Sequence, residues 1–442
     1  FMTENRKREV YTKKTNISTP LVALTLQVTM GAASSKQSGP KPRKLTKEER
    51  TAAQLQSLIP VDPVPYRGPQ LQYCLIDVPV KMKAHMQFGF GGQQLTSDID
   101  QYYATIVQPY NDGYVMTQFM KIPGQMNRGG MISMSVTFPY QAIHTRPINV
   151  APSPERWQLR VEKSVIELQV FRYGLISGGG SSAANTSHIH DKIHEMTQAG
   201  GRLICVEMTG AQQGPNMSQA MSGYGGAFGV DMMFNMPLHP NPKLYSYQAA
   251  NVPVPYTVQA GFSMPSFQCN IDWNAQFGSW LNQGWKLIEI FLDNSQSQQR
   301  TGLMSAGGTL NSIWWFEKEN SRLNDTTPLY QGAIIPYAHE ISAGFGSVNA
   351  KSSWTPIIQE MGNKGWELAT ILPTPTMSRN GMTSFSMHLL MFFQRPIIYE
   401  AQGYTAPPAE AMSAPPPPSY NAVVDQKPTN TAEKSESSGV LR

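Results

Sequence analysis

The sequence predicts an α+β fold of four repeated β-α-β-β units, with antiparallel-rich sheets, helices on one face and disordered termini. Three observations carry that expectation. A glycine followed by an aromatic or basic residue and an apolar strand recurs as Gly113-Tyr114-Val115, Gly201-Arg202-Leu203, Gly284-Trp285-Lys286-Leu287 and Gly365-Trp366-Glu367-Leu368. These glycines stand 88, 83 and 81 residues apart, a near-constant period of the kind that marks a recurring structural unit. Each glycine also follows a helix-like stretch. A chain that leaves a helix and reverses into a strand favours left-handed backbone, which glycine adopts without penalty.

The elements follow in order within each expected unit. Strand-like runs at 72–82, 164–171, 256–264 and 331–341 open the units. Helices are expected at 97–110, 187–199, 273–282 and 354–364. In the last of these, Ile357, Ile358 and Met361 have the i, i+1, i+4 spacing of an apolar stripe. Closing strands are expected at 131–140, 227–236, 312–317 and 384–394. Trp285 and Trp366 are placed to cover the joint between helix and sheet. The implied divisions are a basic leader at 1–65, units at 66–150, 151–250, 251–325 and 326–400, and a Pro-rich tail at 401–442. One unit alone is small for a core, so pairing of units is expected.

Composition restricts the function. Apolar residues make up 40% of the chain and charged residues only 15%, below the usual quarter. Residues 1–50 hold eleven Lys/Arg and four Asp/Glu, a net of +7; the other 392 residues hold 24 and 26, a net of −2. A near-neutral body is a poor electrostatic match to nucleic acid, so no nucleic-acid partner is expected. A basic arm suits a membrane with anionic lipid. Cys74, Cys205 and Cys269 are widely spaced and odd in number, which argues against a disulfide framework and for buried thiols. No apolar stretch reaches the ~18–20 residues that span a bilayer. The short apolar run at 21–28, after a basic cluster, and the sequons at Asn16, Asn185, Asn216 and Asn324 support a secreted binding protein as an alternative.

Met30-Gly31-Ala32-Ala33-Ser34-Ser35 fits the N-myristoylation pattern, with Gly31 as the acceptor when translation starts at Met30. Lys36, Lys41, Arg43, Lys44 and Lys47 follow at once. One myristoyl chain binds membranes marginally, so the basic residues would supply the second signal.

The most specific text lies near the C-terminal end of the sequence. Gly365-Trp366-Glu367-Leu368-Ala369-Thr370-Ile371-Leu372-Pro373-Thr374-Pro375, then a polar loop, then Leu390-Met391-Phe392-Phe393-Gln394-Arg395-Pro396, resembles the raftlin family. Asn282-Gln283-Gly284-Trp285 and Ile313-Trp314-Trp315-Phe316-Glu317 are similar too. The likeness covers most of 66–397 and is strong from about 267. It implies a lipid-anchored adaptor or scaffold on the cytoplasmic face of the plasma membrane, in membrane rafts and endosomes. It also implies partners among signalling receptors or endocytic adaptors. The family carries a cysteine directly after the acylated glycine; here that position is Ala32. The myristoyl site therefore carries over and a palmitoyl site does not.

Little else looks like chemistry. His188-Ile189-His190-Asp191-Lys192-Ile193-His194 mimics a helical zinc motif with Asp for Glu, but no third ligand follows, so no metal is expected. The Gly-rich stretches at 174–180 and 223–229 lack the P-loop and dinucleotide patterns, so no cofactor is expected. No nucleophile arrangement stands out, and the protein reads as a non-enzyme. A small-molecule or metal-dependent enzyme with a cleft between units is the alternative of another class.

In the tail, Pro417, Pro418 and Tyr420 form a P-P-x-Y motif. Proline pre-orders the extended helix that a WW domain grips, so little entropy is lost on docking. Tyr420→Ala is expected to abolish binding of the chain to WW domains, because the tyrosine fills the specificity pocket. Titration against a panel of WW domains checks this; unchanged affinity would reduce the tail to a spacer.

Overall fold

Strand dominates the chain because aromatic and β-branched runs recur throughout it. The computed structural model describes residues 56–399 apart from 86–93, 129–134, 150, 152–154, 174–178, 215–218, 220–221, 240–241, 260–265, 270, 301–304, 345–346, 380 and 382. Gly31, the basic residues from Lys36 to Lys47, and Pro417, Pro418 and Tyr420 lie outside the described residues.

The first segment runs β1 (Leu71–His85), β2 (Gln94–Ser97), helix α1 (Tyr103–Ile106), β3 (Val115–Lys121), β4 (Met126–Arg128) and β5 (Ser135–Pro147). The second runs β6 (Trp157–Tyr173), β7 (Gly179–Asn185), α2 (Ser187–Gln198), β8 (Arg202–Gln213) and β9 (Tyr224–Pro237). The third runs β10 (Tyr245–Gln259), β11 (Ser266–Cys269), α3 (Trp273–Leu281), β12 (Lys286–Arg300) and β13 (Ser305–Glu319). The fourth runs β14 (Tyr330–Gly344), β15 (Ser347–Ala350), α4 (Thr355–Asn363), β16 (Glu367–Arg379) and β17 (Ser384–Pro396).

This order overturns the expected α+β fold of β-α-β-β units. The chain is mostly antiparallel β, and its 17 described strands join one nearly closed, barrel-like sheet. The reason lies in short polar strands without an apolar signature. β2 reads Gln-Leu-Thr-Ser and β15 reads Ser-Val-Asn-Ala. These strands and β7 fold back on the long strand before them and also pair with another segment. The ladders between segments are β2 with β8 (Leu95 opposite Gln212), β7 with β12 (Ser181 opposite Ser297) and β4 with β15 (Asn127 opposite Ser347). Sheet that would close a separate unit is thus shared with a neighbour. Between β11 and β16 no ladder forms among the described residues, although the two strands lie side by side. β16 carries Pro373 and Pro375, which cannot donate, and its own pairing with β17 is interrupted between Pro373 and Met377.

The helices pack apolar stripes on the sheet. Ile189, Ile193 and Met196 of α2 are buried, as are Ile357, Ile358 and Met361 of α4. In α3, Trp280 stacks on Phe316 with centroids 4.4 Å apart, and Phe277 meets Phe392 edge-on at 5.4 Å. The helix expected at 97–110 is only α1 between two 3-10 turns, Ile99–Tyr102 and Gln108–Asp112. Pro109 lies at the start of the second turn, where its missing N–H breaks helical bonding.

Each helical stretch ends in the same turn. Gly113, Gly284 and Gly365 have φ of 79°, 77° and 77°. In the second segment the left-handed residue is Gly200, at 85°, and not the expected Gly201. The next amide closes on a carbonyl five residues back in every case: Tyr114 on Pro109 at 3.1 Å, Gly201 on Met196 at 3.0 Å, Trp285 on Trp280 at 3.2 Å and Trp366 on Met361 at 2.9 Å. This is the Schellman closure, which satisfies a carbonyl at the helix end. Gly201 therefore occupies the place where the other turns carry an aromatic. A Cβ on Gly201 would lie 2.8 Å from the Met196 carbonyl oxygen, which accounts for the second glycine.

The strands after these turns share a second irregularity. Their ladders slip at Met116/Gln118, Leu203/Cys205, Leu287/Glu289 and Leu368/Thr370. A bulge of this kind disrupts the ladder locally and leaves main-chain groups to be satisfied elsewhere. Side chains from another segment do so. Asn235 donates to the Met116 carbonyl at 2.9 Å, and Tyr247 Oη accepts the Leu203 amide at 3.0 Å. Gln394 takes both groups of Leu287, accepting the amide at 3.0 Å and donating to the carbonyl at 2.6 Å. Tyr73 Oη accepts the Leu368 amide at 2.7 Å.

The chain ahead of β1 fastens to the last strand. The Arg395 guanidinium lies 4.3 Å from the Tyr66 ring centroid and 4.2 Å from that of Trp366. It also donates to Asp62 at 3.0 Å and to the Lys364 carbonyl at 2.9 Å.

Gln394→Ala is expected to destabilise the fold by about 2–4 kcal/mol, since it leaves two buried main-chain groups without their partner. Urea denaturation of the variant against wild type measures the loss.

Candidate functional site

The four strands that leave the glycine turns, β3, β8, β12 and β16, surround the centre of the sheet. Five residues after each left-handed glycine comes the first residue past the bulge: Gln118, Cys205, Glu289 and Thr370. All four are buried, at 1%, 0%, 6% and 4% exposure. Gln118 Nε2 donates to Glu289 at 3.0 Å and to the Ala369 carbonyl at 3.1 Å. Thr370 Oγ1 donates to Glu289 at 3.0 Å, and the Ile290 amide does so at 2.7 Å. Together they form a polar girdle across the interior.

A cavity lies on each side of the girdle. The first, about 590 Å³, is lined by the strand starts, including Met116, Leu203, Leu287 and Leu368. Its mouth carries charge. Lys286 Nζ sits 2.8 Å from Glu367 and 4.0 Å from Glu317. Arg202 pairs with Glu317 and stacks over the Tyr245 ring at 4.4 Å. Burial works to raise the Glu317 pKa, but Arg202 and Lys286 outweigh it and hold the carboxyl below its ordinary range. Burial works to lower Lys286, and Glu367 and Glu317 outweigh it in turn. These ions are already matched to one another.

The second cavity, about 500 Å³, begins at the girdle and follows the strands toward their hairpins. Its polar groups are unlike the first. Burial pushes the Glu289 carboxyl up to about 7, against the hydrogen bonds from Gln118 and Thr370. Burial and then the neighbouring Glu289 push Glu207 up to about 8, against the attraction of Lys121. Burial also lowers the Lys121 pKa.

The residues singled out in the sequence are not brought together here. Gly113, Gly284 and Gly365 hold turns, while Trp285 and Trp366 are buried beside them. On α2, the Trp315 indole donates to His190 Nδ1 at 3.3 Å, and His194 pairs with Gln198 at 2.8 Å. Among the described residues no group of three or more His, Cys, Asp or Glu side chains could hold a metal ion. The three cysteines are free thiols; Cys205 is buried and the other two are half-buried. The girdle had a signal in the sequence: a polar or small residue inside an apolar strand, at a fixed distance after the turn. In the second segment that distance runs from Gly200, the left-handed glycine, and not from Gly201.

Comparison with known proteins gives the chain its relatives. The family model for raftlin matches residues 172–409, more than half of the chain. The chain belongs to the raftlin family. Among curated proteins, raftlin of Gallus gallus is 23% identical over 164 residues, which cover 37% of this chain and 25% of that relative. The aligned part thus spans a quarter of the relative's length. No solved structure matches the chain significantly.

The raftlin match reaches upstream to residue 172, short of the expected start near 66, and the structure gives the 365–396 text physical work. Gly365 makes the left-handed turn, and Trp366 and Gln394-Arg395 carry the stacking, main-chain and ion-pair contacts described above.

Buried acids and histidines give a defined pH response. Glu207 and Glu289 keep protons in the fold that an unfolded chain, near 4.5, would release. They make stability fall as pH rises from about 4.5 to about 8. Burial pulls His144 and His339 down to about 4 from 6.5, so their effect has the opposite sign and is complete above 6.5. Above pH 6.5 the histidine contribution no longer changes, and Asp231, which burial raises to about 7, adds to the fall. Glu207→Gln is expected to flatten the fall in urea midpoint between about pH 6.5 and 8.5, measured against wild type.

Proposed function

We propose that this raftlin-family protein is a membrane-tethered scaffold of the cytoplasmic face that acts by binding rather than by catalysis. The single observation that carries the reading is the pairing of Met30-Gly31 with the basic run Lys36, Lys41, Arg43, Lys44 and Lys47. An acyl chain on Gly31 would contribute hydrophobic insertion, and the cations would contribute attraction to anionic headgroups. Each basic residue near such a surface adds about 1 kcal/mol, enough to convert marginal acyl binding into stable residence. With Ala32 after the glycine, the basic run stands where the family has a second acyl chain.

Raft organisation, receptor signalling and endocytic trafficking are the roles that the family resemblance implies. Signalling receptors or endocytic adaptors are the corresponding partners. The broad sheet, with its largely uncharged polar composition, would present the binding surface, and Pro417, Pro418 and Tyr420 would recruit WW-domain proteins.

Vesicle sedimentation tests the tether on protein expressed from Met30. Gly31→Ala is expected to release most of the protein from vesicles with anionic lipid. Replacing Lys41, Arg43, Lys44 and Lys47 by Gln is expected to weaken binding separately, in proportion to anionic lipid and inversely with salt. Full retention of the combined variant would sink the two-signal tether.

A further inference from the structure

The cavity beyond the girdle combines an apolar wall with two neighbouring acids that are shifted toward their protonated forms. All four segments contribute to the wall, through Met120, Met208, Phe228, Leu292, Leu372 and Met387. Methionine side chains adapt to irregular hydrocarbon shapes, and a volume of about 500 Å³ is in the range of small-molecule sites. At the inner end the carboxyls of Glu207 and Glu289 are neighbours, and Glu207 also lies near the Lys121 ammonium. That ammonium lies 3.6 Å from the Phe138 ring centroid, where it is partly occupied with the aromatic face. Glu289 is held by neutral donors, Gln118, Thr370 and the Ile290 amide. Glu207 is half-buried, accepts the Lys121 amide, and neighbours Lys121, Glu289, Tyr140 and Cys205.

We propose that this cavity binds a monocationic amphiphile, with its ammonium head paired to Glu207 beside Glu289 and its hydrocarbon body on the methionine-lined wall. The charge selects the head group. With both carboxylates ionised, the inner end carries one more negative than positive charge, and in a low-dielectric site an added cation is attracted strongly. An anionic head would oppose the ionisation of either acid and so gains nothing from Glu207. A neutral head would leave Glu207 protonated, as burial already makes it. The wall selects the body: carbon and sulfur atoms offer none of the six or more oxygens that a hard divalent cation requires. The site is independent of the tether, since every residue in it belongs to the folded sheet.

Titration calorimetry of the full chain at pH 7 tests the assignment, with decylamine, decanol and decanoate as probes below their aggregation limits. Decylamine is expected to bind once per chain, at least about tenfold more tightly than decanol, with decanoate weakest. Its binding should expel close to one proton, because Glu207, pushed up to about 8, must ionise to pair with the ammonium. Heats in two buffers of different ionisation enthalpy read that proton; decanol should release none. Glu207→Gln should remove both the preference for the amine and the proton release, while affinity for decanol is kept. Leu292→Trp, which fills the wall, should lose both ligands and serves if Glu207→Gln fails to fold. Equal affinity for amine and alcohol, an unchanged amine affinity in folded Glu207→Gln, retained amine binding in Leu292→Trp, or no saturable binding by wild type would each overturn the proposal.

Discussion

Four main-chain positions that their own strands cannot satisfy govern this structure. Each of β3, β8, β12 and β16 bulges just after its glycine turn, and the exposed groups at Met116, Leu203, Leu287 and Leu368 are taken up from elsewhere. Asn235 of the second segment serves the first, Tyr247 of the third serves the second, Gln394 of the fourth serves the third, and Tyr73 of the first serves the fourth. The dependence is circular. Removing any segment would leave unpaired polar groups in its neighbour's interior, at a cost comparable to a lost buried hydrogen bond. A single sheet, and not a string of small domains, is the arrangement that satisfies all four.

This circularity explains what the sequence disclosed and what it hid. The long strands and three of the helices were visible because they bury apolar stripes. Ile357, Ile358 and Met361 announce α4 without help from distant residues. The strands that tie segments together were invisible for the opposite reason. A strand such as Ser347–Ala350 buries little; it folds back on β14, and its other edge is paired by Met126 and Asn127, more than two hundred residues earlier. Local pattern cannot report a partner so remote. The glycine turns were legible in three places, and in the fourth two adjacent glycines left the choice to packing around Met196.

The interior shows a similar division. Polar residues at Gln118, Glu289 and Thr370 break otherwise apolar strands, which reads as noise until the strands are placed around a common centre. Once there, they satisfy one another and separate a mouth of matched ions from a cavity with surplus acid. The family text has the same character. Its tryptophan and arginine support the junction between the chain ahead of β1 and the last strand, and its glutamine serves Leu287 of the third segment.

That junction has a mechanical meaning. Asp62 and Tyr66, which precede β1 in the chain, hold Arg395, and Ile59 is buried a few residues before them. Tension on the chain ahead of residue 59 therefore reaches the clasp on β17 before it reaches β1. The load passes into a planar cation stacked against Trp366, which is anchored to α4 through the Met361 carbonyl. A load entering at residue 59 would thus be shared between β17, through Arg395, and β1.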